Sequence, residues 1–499
     1  MAKEKSDISK DSFNLPASMG NVWKICAGLG LLGVAGAGFG MFSDPKRAAF
    51  SWLFGFYVSL TIALGSLFFV IVQRLVGAHW SVTVRRTAEF LASGLPVLAV
   101  LWVPILLLAP HLFPWLNEHG HGGGHGGHEE HKVGALVLVG EAHAAQHGEG
   151  APHAAAPADA KSAAPTGHGQ GTGAGAGTHD GQGQHKAEHP GQPHGKGEAV
   201  HAGHGALGDP HDLEHAELLE KKKPYLNKSF FMIRAVGYLA IWAILGSVFF
   251  AFSVREDRDK GVAWTLKAQR WAPVSMILFA FSLTFAAFDW LMSLDPTWPS
   301  TIFGVNIFAT SVVSALSTLI VVTMALRSTA SIQKAINTEH YHDLGKLLIG
   351  FVSFWAYISF SQFMLIWYAA LPEETPFYHK RWDVGPWSTV SLVLVVGHFV
   401  FPFFFLLSRN VKRNLGMLRL GALFILLVHI VDMYWFVMPN VAYNTGVDPN
   451  GFAPSWMDAA ALVGVGGVYF AYVFYRMTKY PIIPINDPRL ARSLAFQNA

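Results

Sequence analysis

Ionisable side chains that stand inside long apolar stretches are the first place to look for chemistry, because lipid and protein interior both penalise them. His398 falls near the middle of one such stretch, and His429 and Asp432 fall in the next. The i, i+3 spacing of His429 and Asp432 puts them on one face of a helix. Ser359, Ser361 and Gln362 lie in another apolar segment, with Asp289 near the end of a further one and Asp295 just beyond it. If these faces converge, Asp289, His398, His429 and Asp432 form one polar cluster suited to proton movement or to a hydroxylated head group. The same residue types also suit a set of mutually bonded structural groups. His398 and His429 are spaced to ligate a b-type haem between neighbouring helices as a further option.

Glu89 follows Arg85 by one turn and sits beside Arg86. This spacing predicts an interfacial ion pair, with a proton entry point as the alternative. Glu373 and Glu374 stand in the turn Leu371–Thr375 (LPEET), where they are either solvated or able to pass protons outward. A further set of histidines, including His119, His121, His125, His128 and His131, lies in a Gly/His-rich tract. Imidazoles on such a chain bind zinc, copper or nickel weakly and without fixed geometry, and otherwise serve a solvated spacer. Gly28, Gly30 and Gly33 match the spacing of a dinucleotide-binding loop, but they lie inside an apolar span rather than after a strand. There, small residues serve close helix packing.

The elements that must hold these residues are transmembrane helices. Hydrophobic residues make up 52% of the chain and charged residues 14%, against about 25% charged in soluble domains. Ten apolar stretches are long enough to cross a bilayer: 21–42, 47–74, 84–110, 228–253, 268–292, 299–326, 344–371, 385–408, 414–439 and 456–477. The fold class is therefore all-α, a polytopic membrane helical bundle of about ten helices. Pro96 and Pro104 predict kinks in the third. Residues 117–223 are low-complexity and lack the apolar content to fold alone, although the part from His211 to Lys223 is charged enough to be helical. The organisation is a tail over 1–20, helices over 21–116, the insert over 117–223, helices over 224–480 and a tail over 481–499.

Short-loop Lys and Arg set the orientation. Arg74, Arg85, Arg86, Arg255, Arg258, Arg409, Lys412, Arg413, Arg476 and Lys479 share one side, against Lys46, Arg47, Lys380 and Arg381 on the other. The bias predicts cytoplasmic termini and an insert outside the cytoplasm, with Lys228 and Arg234 running against it. The polar N-terminus does not read as a secretory signal. A single cysteine, Cys26, excludes intrachain disulfides, a covalent c-type haem and a self-contained iron–sulfur cluster. No basic face with interleaved aromatics suggests nucleic acid.

Five runs carry a resemblance. They are Met41–Arg47 (MFSDPKR), Phe288–Gly304 (FDWLMSLDPTWPSTIFG), Trp367–Thr375 (WYAALPEET), His398–Phe403 (HFVFPF) with Ser408 and Arg409, and His429–Trp435 (HIVDMYW). Together they resemble the ActF-type membrane subunits of the bacterial alternative complex III, which are similar in fold to NrfD-like quinol-handling subunits. The His-rich insert departs from that pattern. The resemblance implies a bacterial inner-membrane complex that oxidises quinol and passes electrons to a cytochrome c or similar carrier. It implies haem c and iron–sulfur subunits as partners, and an ActC-type subunit that takes most of the quinone. This chain would then provide scaffold and a proton path, with Asp289, His398, His429, Asp432, Gln362, Glu373, Glu374 and Glu89 as candidate members. The rival reading is a secondary transporter for metal or another ion, with the His-rich loop as collector, although no clear internal repeat is visible.

Overall fold

The computed structural model describes residues 13–116, 217–259, 261–327, 329–383, 385–441 and 452–497. His119, His121, His125, His128 and His131, with nearly all of the insert, lie outside the described residues; of its last part, residues 217–222 are helical. Among the described residues there is no strand, and ten helices are long and apolar enough to cross a membrane. They are α1 (Ala17–Ser43), α2 (Pro45–Leu75), α3 (Val82–Leu107), α4 (Lys228–Arg258), α5 (Ala263–Leu294), α6 (Phe303–Leu326), α7 (Thr338–Ala369), α8 (Pro386–Leu407), α9 (Leu415–Val441) and α10 (Trp456–Met477). The chain is a multi-pass membrane protein built as an all-α bundle.

Backbone chemistry explains the interruptions. α3 is broken into Val82–Ala92, Leu95–Leu101 and Val103–Leu107, and Pro96 and Pro104 sit at the starts of the second and third pieces. Each proline lacks the N–H that would continue the ladder. In α8 a π-helical turn spans Val395–Val400, directly before Pro402. Pro402 leaves the carbonyl of His398, four residues earlier, without its usual donor, and the wider turn accommodates the gap. α2 begins at Asp44, whose carboxylate accepts from the Arg47 backbone N–H, with Pro45 in the first turn.

The helices pack as two rings of four. α2, α3, α4 and α5 close the first ring, and α6, α7, α8 and α9 close the second. α2 and α6 join the rings and are the most enclosed, with 89% and 83% of their central windows buried. They approach closely at Gly65, where an added Cβ would lie 1.9 Å from the Ser311 carbonyl oxygen. α1 and α10 pack on each other and on α2. Their seam is glycine on glycine: a Cβ on Gly33 would lie 2.3 Å from the Gly464 nitrogen, and one on Gly30 would lie 2.6 Å from the Val468 nitrogen. The Gly28–Gly33 pattern thus serves helix approach through Gly30 and Gly33.

Candidate functional site

The second ring encloses a cavity of about 410 Å³ between α6, α7, α8, α9 and the short helix Pro376–Trp382. Its wall is mainly aromatic and aliphatic. Its polar groups are Asn306, Ser359, Gln362, Ser391 and Asp432. Phe360 on α7 and Val395 and Val400 on α8 line it and are also exposed on the outer surface, so the cavity reaches the lipid-facing side between these helices.

Asp432 is buried and accepts a hydrogen bond from the Thr310 hydroxyl on α6. No described Lys, Arg or His forms an ion pair with it. Two other side chains of this ring have unused hydrogen-bonding capacity, Gln362 on the cavity wall and His398 on α8. Gln362 Oε1 is buried without a partner, and both ring nitrogens of His398 are likewise unpaired. The His398 ring lies 4.0 Å from the Trp355 ring, and Trp355 lines the same cavity. The Trp355 indole nitrogen lies near Asp432 without hydrogen-bond geometry. Ser359 donates to Asn306 Oδ1 at 3.4 Å. Ser391 accepts from Trp435 Nε1 at 2.7 Å and donates to the Arg381 carbonyl, so it is already committed.

His429, one turn before Asp432, turns toward α2. Its Nε2 lies 3.0 Å from Thr61 Oγ1, whose hydroxyl proton is directed to the Tyr57 carbonyl at 2.8 Å. The His429 Nδ1 is left without a partner. Of the four ring nitrogens of His398 and His429, His429 Nε2 is engaged by Thr61 and the other three are without a partner.

Asp289 does not join this group. It belongs to the first ring, where Arg234 on α4 grips both its carboxylate oxygens at 2.7 and 2.9 Å and the Tyr238 hydroxyl donates at 2.9 Å. The Arg234 guanidinium also stacks on Tyr225 at 3.8 Å and Phe230 at 4.2 Å. This pairing accounts for a basic residue at the end of α4 where the charge bias runs the other way. Nearby, Asp295 of the same sequence run pairs with Lys380 at 2.6 Å, and Trp298 stacks on Phe377 at 3.9 Å. Burial raises the Asp295 carboxyl, but Lys380 and the Thr297 hydroxyl outweigh it and hold the group below the usual carboxylate range. Glu373 and Glu374 sit half-buried in the turn after α7 and do not line the cavity.

Glu89 forms the expected ion pair with Arg85 and Arg86, but inside the protein rather than on its surface. It is buried with Arg74, Arg85 and Arg86 at 3.2, 3.1 and 3.2 Å. Glu256 pairs with Arg74, Asp257 with Arg86, and Asp487 with Arg85 and Arg489, so four guanidiniums meet four carboxylates. Thr265 also donates to Glu256. Burial raises the Asp487 carboxyl, yet Arg85, then Arg489 and Arg74, hold it well below the ordinary range. The reach from Arg85 to Asp487 spans 402 positions, which no local pattern announces. Thr310 was more legible, since Thr310, Ser311, Ser314, Ser317 and Thr318 recur at helical spacing along α6. At the opposite ends of α2 and α10, Arg47 of the MFSDPKR run pairs with Asp458 at 2.6 Å.

Comparison of the chain with protein-family models and with curated proteins returns no match.

Proposed function

We propose that the chain is a membrane subunit, without redox centres of its own, of a complex that oxidises membrane quinol and delivers electrons to a cytochrome c or similar carrier. In this reading it scaffolds the complex and conducts protons through the second ring. It sits in a bacterial inner membrane with both termini cytoplasmic, beside haem c, iron–sulfur and ActC-type subunits. The five sequence runs support the family. The observation that carries the proton path is Asp432: a buried carboxylate bonded by a hydroxyl, paired with no described cation, on the wall of a cavity that also exposes Gln362 with its unpaired Oε1. A carboxylate locked to arginine resists exchange, whereas one bonded only by a hydroxyl and adjoining space for water is free to trade its proton.

Tagged chain purified from the membrane is expected to bring haem c and iron–sulfur subunits with it. The Asp432→Asn complex, reconstituted in liposomes, is expected to assemble and to release fewer protons per electron. Unchanged release in a well-assembled variant removes Asp432 from the path.

The lipid-side opening between Phe360, Val395 and Val400 favours a second reading, in which the cavity itself holds a quinone ring. Trp355 and Phe399 would flank the ring, and Gln362 and Asp432 would face its oxygens. A photoreactive quinone analogue would then label α7 or α8; labelling confined to the ActC-type partner rejects this. A metal-transporter reading rests on the insert, since no group of three or more potential ligands is gathered among the described residues.

A further inference from the structure

A second, smaller cavity of about 230 Å³ lies between the ends of α4 and α10, and its chemistry is unlike that of the first. Three arginines line it: Arg255 and Arg258 on α4, and Arg476 on α10. Tyr480, Ser93 and Ser247 complete its polar side, and Phe250, Ala251 and Val254 its apolar side. Ser93 brings α3 to the floor of the cleft, and both α4 and α10 touch the next α3 segment, Leu95–Leu101.

None of the three arginines forms an ion pair with a described residue, and the reason is geometric. Arg255 and Arg258 share one face of α4. Glu256 and Asp257, between them in sequence, turn to the other side, where Arg74 and Arg86 occupy them. The neighbouring carboxylates are thus consumed by the internal network, and the outward guanidiniums are left with positive charge and no anion. Arg476 is pre-oriented rather than loose. Its Nη1 donates to the Tyr472 hydroxyl at 2.8 Å, its guanidinium lies 4.3 Å over Phe250 and 5.4 Å from Tyr480, and its Nε is buried without a partner. Arg255 lies 5.1 Å over Trp264.

These groups stand in the last turns of their spans, where phospholipid head groups lie. On the floor helix, Val100 is exposed and Val97 half-buried toward the membrane interior. A molecule filling this cleft therefore presents an anion to the arginines and hydrocarbon to α3. We propose that the cleft is a binding site for an anionic phospholipid, with Arg255, Arg258 and Arg476 gripping its phosphate and an acyl chain lying along Val97 and Val100. Planar guanidiniums suit phosphate oxygens because each offers paired donors. The attraction of one basic residue to an anionic membrane surface corresponds to roughly fivefold in occupancy, so three together give on the order of a hundredfold over a zwitterionic lipid.

The test uses the full chain, delipidated in detergent and titrated with phosphatidylglycerol, phosphatidylcholine or inorganic phosphate. Native mass spectrometry counts adducts and thermal unfolding reports protection. Wild-type chain is expected to retain phosphatidylglycerol selectively, and the Arg255→Gln/Arg258→Gln double variant to lose about tenfold or more in apparent affinity. Both of those side chains are exposed, so folding is not at stake. Arg476→Lys, which keeps the charge but not the fork, is expected to bind with intermediate strength. Equal retention of phosphatidylglycerol by wild type and the double variant overturns the site. Equal protection by inorganic phosphate overturns the lipid assignment and leaves a soluble anion as the ligand. Equal binding of phosphatidylcholine overturns the role of the anion.

Discussion

The buried charge network makes a demand that a proton channel does not. Glu89 Oε1 accepts from Arg74 at 3.2 Å and from Arg85 at 3.1 Å, while Oε2 faces Arg86 Nε at 3.2 Å. Glu89→Gln preserves size and keeps an acceptor at the first position. At the second it replaces the carboxylate oxygen that faces the Arg86 guanidinium with an uncharged amide N–H₂, while the Arg86 Nε–H stays on the Ser253 hydroxyl. It also leaves four guanidiniums against three carboxylates in a site where the arginine and glutamate side chains are at 0% exposure. Removing one partner from a buried pair costs about 3–5 kcal/mol, and the isosteric change places the expectation at that scale. Thermal unfolding of detergent-solubilised chain, followed by tryptophan fluorescence, reads the loss. Arg74→Gln alone is expected to cost a similar amount. The double variant restores charge balance, so its cost falls short of the sum, with a coupling of about 0.5–3 kcal/mol. A Glu89→Gln chain within about 0.5 kcal/mol of wild type, but with impaired proton release, refutes the structural role and restores Glu89 as a proton entry point.

Three further expectations follow from particular contacts. Gly33→Ala drives a methyl group into the Gly464 backbone and is expected to cost about 1–3 kcal/mol or to detach α1, read as lower thermal stability and faster proteolysis of the N-terminal helix; wild-type behaviour would mean the seam opens at no cost. Arg234→Gln strands Asp289 in the first ring and should destabilise the chain by about 3–5 kcal/mol, with Asp289→Asn added on top recovering part of the loss; simple additivity would refute the pairing. Asp487 is held below the ordinary carboxylate range, so its pairing stabilises the fold above the unfolded-state pKa of about 3.9 and fades as pH falls toward the folded-state value. The stability gap between wild type and Asp487→Asn should therefore be level from pH 8 to about pH 5 and shrink below about pH 4, and a gap that widens in acid contradicts this sign.

Spans were legible because length and apolarity decide them. The stretch 47–74 becomes Pro45–Leu75 and the stretch 385–408 becomes Pro386–Leu407. Pro96 and Pro104 mark their breaks in the sequence, and Pro402 marks the wide turn under His398 just as directly. What sequence position does not supply is azimuth. Asp289 and Asp432 read as similarly deep, yet one belongs to the ring that contains α4 and the other to the ring that contains α6. Likewise His429 and Asp432 share a helix face broadly but diverge to α2 and α6, because two helices meet that face. The pairing of Glu89 with Arg85 and Arg86 was legible because they are its neighbours in sequence; its burial was not, because the partners of those arginines, Glu256 through Arg74 and Asp487 through Arg85, come from distant parts of the chain. The glycine seam was legible as packing, but its partner helix was not.

The two rings satisfy their buried acids in opposite ways, and this contrast assigns their roles. In the first ring Asp289 has Arg234, and Glu89 and Glu256 have Arg74. Each of these carboxylates is the partner of a buried or nearly buried guanidinium, so removing its charge would strand that guanidinium. In the second ring Asp432 has the Thr310 hydroxyl, and protonation strands no described cation. Gln362 lines the same cavity as Asp432, and its Oε1 has an empty acceptor position. A hydroxyl also adapts to either state, because it both donates and accepts, which a guanidinium cannot do. On the proposed reading the first ring is the rigid frame and Asp432 in the second ring is the titratable step, which is what the Asp432→Asn liposome measurement tests.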